Sequence, residues 1–289
     1  MSAWPTLYRS ADVQGLRIFY REAGPSHAPA VVLLHGFPSS SRMYEPLLPM
    51  LSGKYRLIAP DYPGFGHSDA PPASEFSYTF DTLAETMAAL LETLEVRRYV
   101  LFMQDYGGPV GFRMALRNPD RVAAIVVQNA NVYREGLGPK WAGIARYWRD
   151  SAGHSEEVDR FLSLAGARQR HIGNSPRSEL YDPDLWTDEF AFLSRPGQRA
   201  IQAAFLYDYR TNPASYPAWQ AWLRRHRPPA LILWGRYDPS FITPGALAFA
   251  RDVPDAEIHL LDAGHFALDE AREQVGALTL DFLDRRLPR

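Results

Sequence analysis

Near-continuous apolar runs at 30–34, 56–59 and 99–103 each end at Gly, Pro or Asp, the mark of short strands buried on both faces. Residues 16–20 alternate apolar and polar, as a half-buried edge strand does. Residues 82–94 carry apolar side chains at helical spacing behind a Thr82/Glu85 capping box. Further strands are predicted at 122–127, 230–234 and 257–261, and a long closing helix at 266–287. Strands alternating with helices predict an α/β fold with a doubly wound, mostly parallel sheet.

Between 131 and 227 that rhythm stops. This stretch holds five of the seven Trp (Trp141, Trp148, Trp186, Trp219 and Trp222), helical pieces at 155–165 and 199–207, and no clear buried strand. It is read as a helical cap inserted between core segments 1–130 and 228–289, over the carboxyl ends of the strands where such sheets bind ligands. The cluster Arg224, Arg225, His226 and Arg227 before Pro228 reads as a solvated helix end and linker.

Composition narrows the function. With 46% hydrophobic and 22% charged residues, the 289-residue chain can bury a large core. Its net charge of -2 offers no field for a polyanion, so no nucleic-acid partner is expected. All but two of the basic residues are Arg, the exceptions being Lys54 and Lys140, and this reads as compositional bias. The absence of Cys removes disulfides, thiolate metal sites and Cys nucleophiles. No membrane span or leader-like start is visible, so a cytoplasmic monomer or homodimer is expected. The eight His show no metal-ligand spacing, and Asp69 stands where the Gly64/Gly66 pair would need a third Gly for a dinucleotide; neither a metal nor a cofactor is expected.

Three strand ends carry complementary chemistry. After 99–103, Gln104-Asp105-Tyr106-Gly107-Gly108 forms a strand-turn-helix passage. Asp105 there is either a helix cap or, with glycines behind it, the apex of a nucleophile elbow. Asp238 follows 230–234 and His265 follows 257–261, with Asp262 and Asp269 as less well placed acids. Nucleophile, acid and histidine in that chain order match a hydrolytic triad. His35-Gly36-Phe37-Pro38, after 30–34, would turn the Phe37 amide toward the elbow, where with the Tyr106 amide it would form an oxyanion hole.

These motifs, together with Asp61-Tyr62-Pro63-Gly64-Phe65-Gly66, resemble the aspartate-nucleophile branch of the α/β-hydrolase superfamily, the epoxide hydrolases and haloalkane dehalogenases. The resemblance implies Asp105 as nucleophile, His265 as base and Asp238 as its acid partner. A carboxylate is ordinarily ionised at neutral pH, so it attacks a saturated carbon without a base and leaves an ester that water can hydrolyse. Departing halides need N–H donors, and the family usually places Trp after the nucleophile, where this chain has Tyr106. Opening epoxides need O–H donors from two cap tyrosines, one directly before Arg, as in Tyr209-Arg210. Tyr147 is the expected second tyrosine, with Tyr133 and Tyr207 as competitors; Trp141 and Trp148 are the cap indoles that could instead serve a halide. Gln104 and Ser39-Ser40-Ser41 resemble the dehalogenases. The leading expectation is an epoxide hydrolase acting with water on a small apolar organic substrate. A dehalogenase is the alternative, and a non-catalytic small-molecule receptor, which would not need the acid and the histidine, is third.

Overall fold

The computed structural model describes residues 3–287 and begins with two antiparallel strands, β1 (Leu7–Val13) and β2 (Leu16–Ala23). Then follow β3 (Ala30–Leu34), α1 (Leu48–Leu51), β4 (Arg56–Pro60), α2 (Phe80–Thr93), β5 (Tyr99–Gln104), α3 (Gly107–Arg117) and β6 (Val122–Gln128). Six helices come next: α4 (Trp141–Arg149), α5 (Glu156–Leu162), α6 (Leu164–Ile172), α7 (Asp184–Leu193), α8 (Gln198–Asp208) and α9 (Thr211–His226). The chain closes with β7 (Ala230–Gly235), α10 (Pro244–Asp252), β8 (Glu257–Leu261), α11 (Ala267–Glu270) and α12 (Arg272–Arg286).

The eight strands form one sheet in the order β1-β2-β4-β3-β5-β6-β7-β8, parallel from β4 to β8. The central strands are apolar throughout because both faces are covered. Val32, Leu34, Leu101, Met103, Ile125 and Val127 face one core, while Val31, Leu33, Val100, Phe102, Ala124 and Val126 face the other. Consecutive side chains on a strand point to opposite faces, so a continuous apolar run feeds both layers. From β3 the chain steps outward to β4 and then returns to the other side of β3 as β5. The carboxyl ends of β3 and β5 therefore flank a topological switch point, where open α/β sheets bind ligands.

The expected strands are present, and the inserted stretch between β6 and β7 is helical. Three expectations are corrected. Helix α2 starts at Phe80 and is capped by Thr79, whose hydroxyl accepts from the Thr82 amide, so Thr82 lies inside the helix. The closing helix is two pieces, broken at Ala271, which leaves helical geometry at φ -122 and ψ 27. β1 was not expected, because most of its residues are exposed and its apolar and polar positions do not alternate. No helix among the described residues is long and apolar enough to cross a membrane.

Candidate active site

Asp105 lies at the bend from β5 into α3 with φ 47, a left-handed conformation that a side-chain-bearing residue adopts at a cost. The bend is tight enough to exclude a side chain behind it. A Cβ on Gly107 would lie 2.0 Å from the Leu34 carbonyl oxygen. Gly36, on the facing turn after β3, is equally confined, since a Cβ there would lie 2.4 Å from the Asp105 Cβ. The two glycines let the turns approach until the Phe37 amide donates to Asp105 Oδ1 at 2.9 Å. The Phe37–Pro38 peptide is cis.

The other carboxylate oxygen, Oδ2, lies 3.5 Å from His265 Nε2. His265 Nδ1 in turn lies 2.6 Å from Asp238 Oδ2, and all three side chains are buried. Asp105, His265 and Asp238 thus form one carboxylate–imidazole–carboxylate chain. Burial lowers the affinity of His265 for a proton, but Asp238 and then Asp105 outweigh it and raise its pKa to about 9. Burial likewise works to raise the pKa of Asp238, and His265 reverses that, leaving it below the ordinary carboxylate value.

Asn129, just past β6, was absent from the sequence reading. Its side chain donates to Asp238 Oδ2 at 2.9 Å and accepts from the Gly235 amide at 2.8 Å, tying the acid to the end of β7. Its φ of 44 is the feature that marks such an Asn as a turn former at a strand end. Ser240 adds a backbone donor to Asp238 Oδ1 at 2.6 Å. His35, expected in the oxyanion turn, is buried against Tyr62 with ring centroids 4.1 Å apart and accepts from the Tyr62 amide; burial lowers its pKa, so it serves as a neutral spacer.

Above the nucleophile position lies a cavity of about 20 Å³, lined in part by Asp105, Tyr106, Trp141, Tyr209 and His265. Tyr209 is wholly buried, with its hydroxyl on that of Tyr216, which also accepts from Asn131 at 3.3 Å. Burial raises the Tyr209 pKa well above 10, so it holds its proton. The remaining cap expectations are redirected. Tyr147 packs in a separate cluster with Ile144, Val158 and Leu206, and its hydroxyl faces the Ala203 carbonyl, so it does not line the cavity. Tyr133 donates to Asp252, and Tyr207 is exposed beneath Arg210. The indole N–H of Trp141 donates to Ser240 O at 2.9 Å and that of Trp148 to Leu206 O at 2.8 Å, so both are engaged by backbone carbonyls. Two cavity-lining residues were also missed, Lys140 and Arg170, which bring positive charge to a wall expected to be apolar.

A family model for the alpha/beta hydrolase fold matches residues 29–271. An uncharacterized hydrolase of Saccharomyces cerevisiae is 38% identical over 260 residues, spanning 88% of this chain and 89% of that protein. A haloalkane dehalogenase of Psychrobacter cryohalolentis is 30% identical over 93% of this chain and 88% of its own length. Among solved structures, the epoxide hydrolase CorEH shares the fold with a TM-score of 0.73 at 21% identity, covering 97% of this chain and 99% of that one. The buried sheet, the strained bend and these matches together make the chain a hydrolase of the α/β-hydrolase family.

Proposed function

We propose that Asp105 is a covalent nucleophile and that the enzyme opens epoxides to diols. The observation that carries this reading is the division of labour at the Asp105 carboxylate, with Oδ1 held by the Phe37 amide and Oδ2 facing the cavity and His265. Oδ2 attacks an epoxide carbon, the C–O bond breaks, and the developing alkoxide takes the Tyr209 proton, giving a hydroxyalkyl ester. His265, oriented by Asp238, then removes a proton from water, which adds to the Asp105 carboxyl carbon. Negative charge gathers on the carbonyl oxygen Oδ1, held by the Phe37 amide, with the Tyr106 amide as the expected second donor, each such donor being worth roughly 3–4 kcal/mol. Collapse passes the proton of the added hydroxyl to the leaving oxygen, which expels the diol and restores the carboxylate, and the proton held by His265 returns to Tyr209.

Tyr209 favours an epoxide because it is a cavity-lining phenol that keeps its proton and can turn it from the Tyr216 hydroxyl to a developing alkoxide, whereas the indoles of Trp141 and Trp148 donate to backbone carbonyls. A haloalkane is the second reading, favoured by the 30%-identical dehalogenase relative; it uses the same ester and releases halide. The test is mass spectrometry of a His265→Gln variant, which forms the ester but does not hydrolyse it. Incubation with styrene oxide should add one substrate mass to the peptide carrying Asp105, and incubation with 1-bromobutane should not. An adduct from the bromide alone would transfer the assignment to a dehalogenase, and an adduct from neither would remove Asp105 as nucleophile.

A further inference from the structure

The catalytic cavity borders a cleft of about 480 Å³, and Lys140, Arg170, Ile144, Phe161, Leu206 and Ser240 line both. Those six residues form the neck where the two meet. Two are cations, and neither has a carboxylate within ion-pair distance among the described residues. Elsewhere the chain pairs its buried or half-buried arginines, as Arg21 with Glu45 and Arg113 with Asp81.

Arg170, on α6, lays its guanidinium 4.6 Å from the Phe37 ring centre and 4.2 Å from that of Phe161, and its Nη2 donates to the Phe161 carbonyl. Stacking and that one bond fix the plane of the fork. Nη1 is shielded from solvent and has no hydrogen-bond partner. Leaving a charged donor buried and unpaired is costly, and a guanidinium does not escape this by losing its proton. Lys140 stands just ahead of α4, its stem exposed and its ammonium turned inward onto Ser240 Oγ. The Asp105 carboxylate acts on both cations, alongside Asp238 at Lys140 and Glu189 at Arg170. Once Asp105 becomes an ester that share of the negative charge is gone, and neither cation has an ion-pair partner to replace it.

We propose that Arg170 and Lys140 form a carboxylate subsite at the neck of the catalytic cavity, so that the preferred substrates are epoxides carrying a carboxylate on the chain that extends toward the outer cleft. This rests on Asp105 as nucleophile and adds the substrate class. The anion supplies the ion-pair partner that Arg170 and Lys140 lack, and because the Arg170 fork is fixed it positions the epoxide carbon as well as holding it.

The experiment is equilibrium binding of 3-phenylpropanoate and its neutral counterpart 3-phenylpropanamide, followed by tryptophan fluorescence or calorimetry, so that it does not depend on turnover. Wild type should bind the acid at least about 10-fold more tightly than the amide, and Arg170→Met should weaken the acid about 10- to 100-fold while moving the amide less than about 3-fold. Lys140→Gln, whose stem is exposed, should reproduce the selective loss in milder form and guards against misfolding of the Arg170 variant. Equal affinity for acid and amide in the wild type, or equal losses for both in the variants, overturns the subsite. The His265→Gln adduct on Asp105 from a neutral epoxide is read separately, so the subsite and the nucleophile fail independently.

Discussion

The 3.5 Å separation of Asp105 Oδ2 and His265 Nε2 makes the imidazole's proton affinity depend on whether Asp105 is a carboxylate or an ester. Asp105→Asn removes the charge and keeps the shape, and so imitates the proposed covalent intermediate. At an effective dielectric of about 20, two unit charges at that distance interact by roughly 5 kcal/mol, or about 3.5 pKa units; at twice that dielectric the effect halves. His265, near 9 with Asp105 charged, should therefore fall by about 1.5–3.5 units in the variant, into the range of a useful general base. The sign is fixed by the charge: removing an anion beside a cation can only favour the neutral ring. The assay is a pH titration of imidazole resonances by nitrogen-15 NMR, with the His265 signal identified among the eight histidines by its loss in His265→Gln. A His265 pKa that stays within about half a unit of the wild-type value, or rises, would refute the idea that ester formation itself switches the base on.

Two further outcomes are expected. Tyr209→Phe should lower epoxide kcat about 10- to 1000-fold with the thermal midpoint nearly unchanged, and unaltered turnover would exclude that hydroxyl from ring opening. His171, on α6, bridges Asp269 at 2.6 Å and Glu189 at 2.9 Å with all three side chains largely buried, so His171→Leu leaves two carboxylates uncompensated and should cost about 3–5 kcal/mol in urea unfolding. Against the cost of burial, Glu189 and then Asp269 raise the His171 pKa to about 10. A raised pKa means that this contribution is complete below about 6.5 and is lost as pH rises through 10, so the gap between wild type and variant should narrow toward alkaline pH; a gap constant from pH 6 to 10 would contradict the charged assignment.

The parts of the site read from sequence are those whose cause is local. A run such as Val31-Val32-Leu33-Leu34 is buried on both faces wherever it sits in a parallel sheet, and a residue backed by Gly107 and Gly108 after such a run has one accessible geometry, the bend with φ 47 at Asp105. Strand ends in a parallel sheet converge on one edge, which is why Asp105, Asp238 and His265 meet although 133 residues separate Asp105 from Asp238 and 27 separate Asp238 from His265. Nothing comparable constrains the helical insertion. Tyr147 and Ile144 share a helical face, yet that face packs on Val158 and Leu206 and carries the Tyr147 hydroxyl away from the cavity. Tyr209 reaches it because α8 ends beside Tyr106 and Phe80.

The same distinction explains Lys140 and Arg170. Lys140 belongs to a two-member minority of lysines, and composition gave no reason to look at it further. Arg170 looks like an ordinary last-turn cation of α6, complementing the helix dipole as such residues do. Its meaning comes from Phe37, 133 positions earlier, whose ring it covers while its own Nη1 is left without a partner. On the proposed mechanism the bond-making chemistry is encoded at strand ends, whereas the choice of substrate is encoded by which cap side chains come to rest over them. If the proposed subsite is right, a relative that kept the sheet and the three strand-end residues but altered the register of α6 would retain the ester chemistry and lose the preference for a carboxylate. That separation is what the paired acid and amide ligands measure.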